Sequence, residues 1–239
     1  MTIAVTGATG FVGQALLDHA QAQAIAVRAL ARRDQPERKG ITWFAGDLHN
    51  VKALTRMAQG AEALIHVAGV VNAPRAAEFE AGNGLGTLNV IEAALAAGVP
   101  RLIVVSSLSA REPSLSLYGE SKARAERLVK ASGLDWTIVR PPAIYGPRDK
   151  DMFELFRAAK WGLVPVPAHG AASMLHVEEL ARLLVALIPG GELVTHQVFE
   201  PDDGKRGGWS HRELAQALGW AVGRRARALG LSRRTMEWA

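Results

Sequence analysis

The sequence contains no cysteine, which excludes a disulfide-stapled secreted module and a thiolate metal centre. It has no long apolar run either. Stretches such as Leu102 to Val105 and Leu183 to Ile188 fall far short of the roughly 20 residues that span a bilayer. The amino terminus, MTIAVTGATGFVG, lacks the basic start and apolar core of a secretory signal. The seven histidines show no ligand spacing, so no metal site is expected. Basic residues are not interleaved with aromatic ones in any recognisable nucleic-acid module. These absences predict a cytoplasmic protein with no nucleic-acid partner and no membrane partner.

What is present is a chain of 239 residues, long enough to bury roughly 70% of its unfolded surface without staples. Its net charge of +5 comes from 28 basic and 23 acidic side chains. The excess is local: residues 1–204 carry a net −1, whereas residues 205–239 carry eight basic and two acidic side chains, a net +6. The body is therefore near neutral, and the end is expected to be an arginine-rich solvated tail.

Short aliphatic runs alternate with longer helical patterns, the mark of βαβ units around a parallel sheet. Strands are expected at Ile3 to Thr6, Ile25 to Ala31, Ile41 to Ala45, Ala63 to Val67, Leu102 to Ser106 and Trp136 to Val139. Helices are expected at Gly10 to Ala22, Val51 to Met57 and Tyr118 to Ala131. Residues 76–97, interrupted by Gly82, Gly84 and Gly86, suggest a loop leading into a long helix. Beyond Arg140 prolines break the rhythm, leaving helices near Met152 to Ala159, Val177 to Leu187 and Trp209 to Leu218, the last with Ser210 and Glu213 as a capping box. The fold class expected is α/β: a Rossmann-type, doubly wound parallel sheet over residues 1–140. A small, reduced carboxy-terminal substrate lobe over 141–239 is interleaved with it, the basic tail starting near 205.

Directly after the first strand comes TGATGFVG, which sets Gly7, Gly10 and Gly13 where strand turns into helix. Glycines there let the backbone approach a pyrophosphate, and the helix amino terminus offers unpaired N–H groups. Thr9, Phe11 and Val12 complete this loop. About 20 residues beyond the glycines, where a carboxylate would bind an NAD ribose, stand Arg32 and Arg33. Guanidinium forks suit a 2′-phosphate, so NADP is the preferred cofactor, with NAD possible. An inward-turned Asp34, or arginines merely solvated at the strand end, would be the alternative.

Tyr118 and Lys122 are four residues apart, on one helix face. A tyrosine titrating near pH 10 needs a nearby cation to serve as a base, and Lys122 supplies one. Ser106-Ser107 closes the fifth strand at its carboxyl edge, where open α/β sheets bind ligands, and the Ser107 hydroxyl is placed to bond a substrate oxygen. Ser107, Tyr118 and Lys122 are therefore the candidate catalytic set.

These motifs together resemble the extended short-chain dehydrogenase/reductases of the NAD-dependent epimerase/dehydratase family. The likeness rests on TGATGFVG, Asp47-Leu48, HVAG from His66 to Gly69, NGLGTLN from Asn83 to Asn89, the Ser107, Tyr118 and Lys122 set, RPPAIYGP from Arg140 to Pro147, and HVEELA from His176 to Ala181. The resemblance implies that Asp47 and Leu48 bound the adenine pocket and that Val67, Ala68 and Gly69 lie against the cofactor. It further implies that Pro141, Ala143 and Tyr145 belong to a loop over the nicotinamide, that Tyr118 and Lys122 also touch the cofactor, and that His66 orders a strand end. Gly84 stands where the family usually has valine, and the chain is shorter than extended members usually are, which implies a reduced lobe and argues against a nucleotide-sugar. The activity implied is hydride transfer between NADP(H) and a small carbonyl or alcohol, by a monomer or homodimer. The alternatives are a nucleotide-sugar epimerase or dehydratase holding NAD tightly, and a non-catalytic NADP-binding sensor or assembly factor.

Overall fold

A computed structural model describes residues 1–231. Along the chain run β1 (Thr2–Thr6), α1 (Phe11–Ala22), β2 (Ala26–Ala31), β3 (Ile41–Ala45), α2 (Val51–Ala58) and β4 (Ala63–His66). A short helix, α3 (Ala76–Phe79), passes through a wide π-helical turn (Glu80–Leu85) into α4 (Gly86–Ala97). Then come β5 (Arg101–Val105), α5 (Leu117–Lys130), β6 (Asp135–Val139), β7 (Ala143–Tyr145), α6 (Asp151–Lys160), β8 (Leu163–Pro167), β9 (Ala171–Ala172) and β10 (Met174–His176). The described chain ends with α7 (Val177–Ala186), β11 (Gln197–Phe199), β12 (Trp209–Ser210), α8 (His211–Ala221) and β13 (Arg227–Leu231).

Two compact units divide these elements: Met1–Pro141 with Glu178–Pro201, and Pro142–Val177 with the residues from Asp202 on. The first holds a seven-stranded sheet in the order β11-β6-β5-β4-β1-β2-β3, every pair parallel. Parallel strands need covered faces, which is why β4 and β5 are buried at every position. On one face Ala4, Leu64, Leu102, Val104 and Ile138 pack with Leu54 and Met57 of α2, Val90 and Ile91 of α4 and Val129 of α5. The alternate residues Ile3, Val5, Val27, Ile65 and Ile103 are buried as well. Helix α1 contacts β2, and Leu16 and Leu17 of α1, with Leu180 and Leu184 of α7, are fully buried. The order reverses between β1 and β4, the switch point at whose carboxyl edge such sheets leave a crevice.

The second unit pairs β7 with β10, β9 with β12, and β8 with β13. Ala159, Val164, Val166, Met174, Leu214, Leu218 and Ala226 form its core.

Three expectations need correction. Residues 76–85 are helical rather than a loop, because a π turn absorbs the glycines that read as breakers. The seventh sheet strand, β11, lies in a stretch that showed no strand pattern, since its three residues take their order from pairing with β6. The end is not a solvated tail up to Leu231: Ser210 and Glu213 do form the capping box of α8, and Arg227–Leu231 pairs in register with Leu163–Pro167. The rest of the arginine-rich stretch, 232–239, lies outside the described residues.

Candidate active site

The TGATGFVG turn is held by contacts that only glycine allows. Gly7 has φ of +74°, and a Cβ there would sit 2.5 Å from the Ala68 nitrogen. A Cβ on Gly13 would come within 2.0 Å of the Gly7 oxygen, so this glycine lets α1 press onto the end of β1. Gly10 is different. It is exposed, its added Cβ would meet only the Gly7 oxygen at 3.4 Å, and it caps α1 with no side-chain hydrogen bond and no acidic residue in the first turn. The turn is thus a shallow cradle of open N–H groups at a helix amino terminus, with Thr9 exposed beside it and Phe11 and Val12 half-buried. That geometry fits a dinucleotide pyrophosphate.

Arg32 and Arg33 follow the last residue of β2, both exposed and without a carboxylate partner among the described residues. Asp47 closes the turn after β3, its Oδ1 accepting the His49 N–H at 2.9 Å. The Leu48 side chain lies against α4, where a Cβ on Gly86 would meet its Cδ1 at 2.8 Å, and the Leu48 oxygen accepts from Asn89 Nδ2 at 2.7 Å. Asn89 therefore fixes the turn that the Asp47-Leu48 motif occupies.

At the carboxyl end of β5, Ser107 caps a 3-10 turn (Leu108–Arg111), its Oγ accepting the Ser109 N–H at 3.2 Å. Ser116 caps α5 through the Gly119 N–H at 3.0 Å, which starts the helix just before Tyr118. A Cβ on Gly119 would stand 2.6 Å from the Ser109 oxygen. This glycine lets α5 approach the 3-10 turn, and Tyr118 meets Ser107 there. Burial pushes the Tyr118 phenol above its usual pKa, and a hydrogen bond with Ser107 draws it partly back. One turn on, Lys122 is buried and donates from Nζ to the Val105 oxygen at 2.8 Å. Its burial lowers its pKa to about 8, while the charge of Glu126 works in the opposite direction. Ser107, Tyr118 and Lys122 are thus brought together. So are Val67, Ala68 and Gly69, which follow β4: a Cβ on Gly69 would be 3.7 Å from Lys122 Nζ.

Three further groups complete the wall. Asn83, buried on the π turn, accepts the Val70 N–H at 2.7 Å and donates to the Val70 oxygen at 2.9 Å and to Ser121 Oγ at 2.8 Å. Ser121 donates in turn to the Tyr118 oxygen at 2.7 Å, so Asn83 ties the segment after Gly69 to the helix of Tyr118. His66 is buried between Thr6 Oγ1 (2.7 Å from Nδ1) and Thr87 Oγ1 (3.1 Å from Nε2). Burial and, secondarily, the Lys122 charge lower its pKa to about 3, so it is neutral and bridges β1, β4 and α4. Glu126, one turn beyond Lys122, accepts from Ser106 Oγ at 2.6 Å and takes both arms of Arg140, at 2.8 and 2.6 Å. Arg140 also pairs with Glu200 at 3.1 Å. The sequence pattern held Asn83 and His66 only as parts of family motifs and gave no sign of Gly119 or Glu126.

Of the loop expected over the nicotinamide, Pro141 belongs to the first unit, its oxygen accepting the Leu108 N–H at 3.0 Å. Ala143 and Tyr145 belong to the second, on β7, the Tyr145 ring edge-on to His176 at 5.2 Å. Among the described residues no group of three or more His, Asp or Glu is placed to hold a metal ion. Nor is any helix among them long and apolar enough to cross a membrane.

Comparison with known proteins agrees with this geometry. A family model described as NAD(P)H-binding matches residues 7–186. A ceramide reductase from Caulobacter vibrioides is 40% identical over 235 residues, covering 96% of this chain and 73% of the relative. A UDP-glucose 4-epimerase from Vibrio cholerae is 27% identical over 91% of this chain and 76% of its own. Three other curated relatives are 32–35% identical, and the chain spans only 50–54% of their length. Among solved structures, MoeE5 in complex with UDP-glucose and NAD superposes with a TM-score of 0.83 at 27% identity, over 98% of this chain and 86% of that one.

Proposed function

Starting from a chain that belongs to the NAD(P)-binding, extended short-chain dehydrogenase/reductase family of enzymes, we propose that it is an NADPH-dependent reductase of a carbonyl carried by an apolar, lipid-like substrate. The observation that carries this reading is the gathering of Ser107, Tyr118 and Lys122 at the carboxyl end of β5, a phenol with a cation one helical turn away. Burial keeps Tyr118 protonated at neutral pH, so it stands as a proton donor toward a nascent alkoxide. Lys122, with a pKa of about 8, still holds its charge at pH 7 and stabilises the phenolate that remains. Ser107 lies close enough to draw the Tyr118 pKa partly back, so the two hydroxyls can address one substrate oxygen. When bound, the reduced nicotinamide supplies the hydride.

The preference for NADP rests on Arg32 and Arg33, exposed and without carboxylate partners beyond β2. An apolar substrate is supported by the border of the site: Leu115 and Leu117, just before Tyr118, are 76% and 47% exposed, and Val71, two residues after Gly69, is 73% exposed. Apolar side chains left in water beside a polar reacting set suit a ligand with a hydrocarbon part. The name of the Caulobacter relative, a ceramide reductase, points the same way.

The test is NADPH oxidation with a panel of long-chain and short-chain ketones. Tyr118→Phe is expected to lower turnover by about 10²–10⁴-fold while leaving NADPH affinity unchanged. Unchanged turnover in that variant would remove Tyr118 from the chemistry.

A further inference from the structure

The second unit carries an exposed face of aromatic, aliphatic and cationic side chains. Helices α6 and α8 pack against one another, and each runs into one of the paired parallel strands β8 and β13. Parallel strands start at the same end, so the carboxyl ends of both helices and the starts of both strands lie together. At that end stand Lys160, Trp161 and Leu163 from the first connection, and Trp220, Arg224, Arg225 and Arg227 from the second. A backbone contact joins them, the Arg227 N–H donating to the Gly162 oxygen at 2.9 Å, while the Arg224 N–H closes the end of α8 onto the Gly219 oxygen at 2.8 Å.

Trp161 is 90% and Trp220 85% exposed. The other described tryptophans show how unusual this is in the molecule. Trp136 is buried, Trp43 Nε1 donates to the Pro36 oxygen, and Trp209 Nε1 donates to Asp203. The outward faces of β8 and β13 continue the patch with Leu163 and Leu229, both about half exposed, while Val164 and Val166 between them turn into the core. The sequence has no Asp or Glu over residues 155–177 or 214–231. Lys160, Arg224, Arg225 and Arg227 therefore have no carboxylate nearby in sequence, and none pairs with one among the described residues.

From this we infer that the Trp161–Trp220 end of the second unit seats on an anionic phospholipid surface. Indole rings settle at the headgroup level, where an apolar body and a polar N–H are both satisfied. Arginine and lysine beside them meet lipid phosphates and the negative surface potential. Either signal alone anchors weakly, and the two together give stable but reversible seating. Leu163 and Leu229 favour lipid over nucleic acid, because an aliphatic side chain has no face on which a base stacks. Such peripheral contact needs no spanning helix, and it revises the expectation that a membrane plays no part. The inference is independent of the reductase assignment.

The full chain is sedimented with vesicles of phosphatidylcholine alone and of phosphatidylcholine with an equal part of phosphatidylglycerol. It is expected to co-sediment with the anionic vesicles, to be released by raised salt, and to remain free with the neutral ones. The pairs Trp161→Ser with Trp220→Ser, and Arg224→Glu with Arg225→Glu, should each weaken binding by about tenfold or more. Far-ultraviolet circular dichroism and the urea-unfolding profile, which report on both units, should stay unchanged and serve as the control for folding. If a variant fails that control, salt release of the unaltered protein decides. Absence of binding to anionic vesicles, salt-insensitive binding or undiminished binding by both folded variants would overturn the inference. So would tighter binding to an oligonucleotide, or a homodimer in sedimentation velocity that the tryptophan variant abolishes. Turnover on a water-soluble ketone distinguishes the two proposals: it fails with the reductase assignment and is unaffected by loss of the lipid face.

Discussion

Behind Tyr118 and Lys122, the buried polar side chains are paired within the protein. His66 has a hydroxyl at each ring nitrogen, Lys122 a backbone carbonyl, Asn83 three partners, and Glu126 a hydroxyl and a guanidinium. In front, the first turn of α1 has no side-chain cap, Arg32 and Arg33 have no carboxylate partner among the described residues, and Leu115 and Val71 face water. The contrast separates construction from recognition. A polar group taken out of water must find its partner inside the chain, whereas an exposed donor is already satisfied by water and stays available to a ligand. Substitutions behind should therefore register in stability, and substitutions in front in binding.

The largest effect is expected from the wall. Glu126→Ala leaves Arg140 with only Glu200 and strips Ser106 of its acceptor, and should cost about 3–5 kcal/mol in urea unfolding. A loss below about 1 kcal/mol would mean that the network is not the clamp its geometry suggests. His66 should give the next largest signal, through pH. Its pKa of about 3 in the folded state lies below the 6.5 of an unfolded chain, so the unfolded state binds the proton first. This contribution to stability is complete above pH 6.5 and falls as pH drops toward 3, by about 2 kcal/mol at pH 5. Unfolding midpoints of the natural protein and of His66→Asn, compared at pH 7 and 5, should show the acid loss in the former alone. The smallest effect belongs to the front. Arg32→Ala with Arg33→Ala should weaken NADP binding by roughly tenfold, about 1.4 kcal/mol, in calorimetric titration, with NAD affinity and unfolding both unchanged. A drop in stability in that variant would blur the distinction between the two sides.

How much of this was legible in the sequence follows from how local each cause is. Buried parallel strands read as continuous apolar runs, so β1, β2 and β4 to β6 stood out within a residue or two, and the edge strand β3 did so through its own short apolar run although none of its residues is buried. The glycine turn announced itself because its function needs small residues at fixed offsets from a strand. Tyr118 and Lys122 were legible through helical spacing. Asn83 stood out only as part of a family motif, and its role was hidden because its position depends on a π turn that a string of glycines does not advertise. Gly119 was hidden because its purpose is an approach to the Ser109 oxygen, a contact between separate elements. Strand β13 escaped notice for the same reason. Its partner, β8, is some sixty residues away in the chain and bears two prolines, so no local pattern marks either as a strand.

The central claim is that net hydride leaves the cofactor, which a reductase requires and an epimerase does not. Absorbance of stoichiometric NADPH, followed together with product in a single turnover on a long-chain ketone, tests it directly. One NADPH oxidised per alcohol formed, with Tyr118→Phe slowing both alike, is the predicted result. Product formed from a nucleotide-sugar, with no cofactor added and no net change in absorbance, would contradict it.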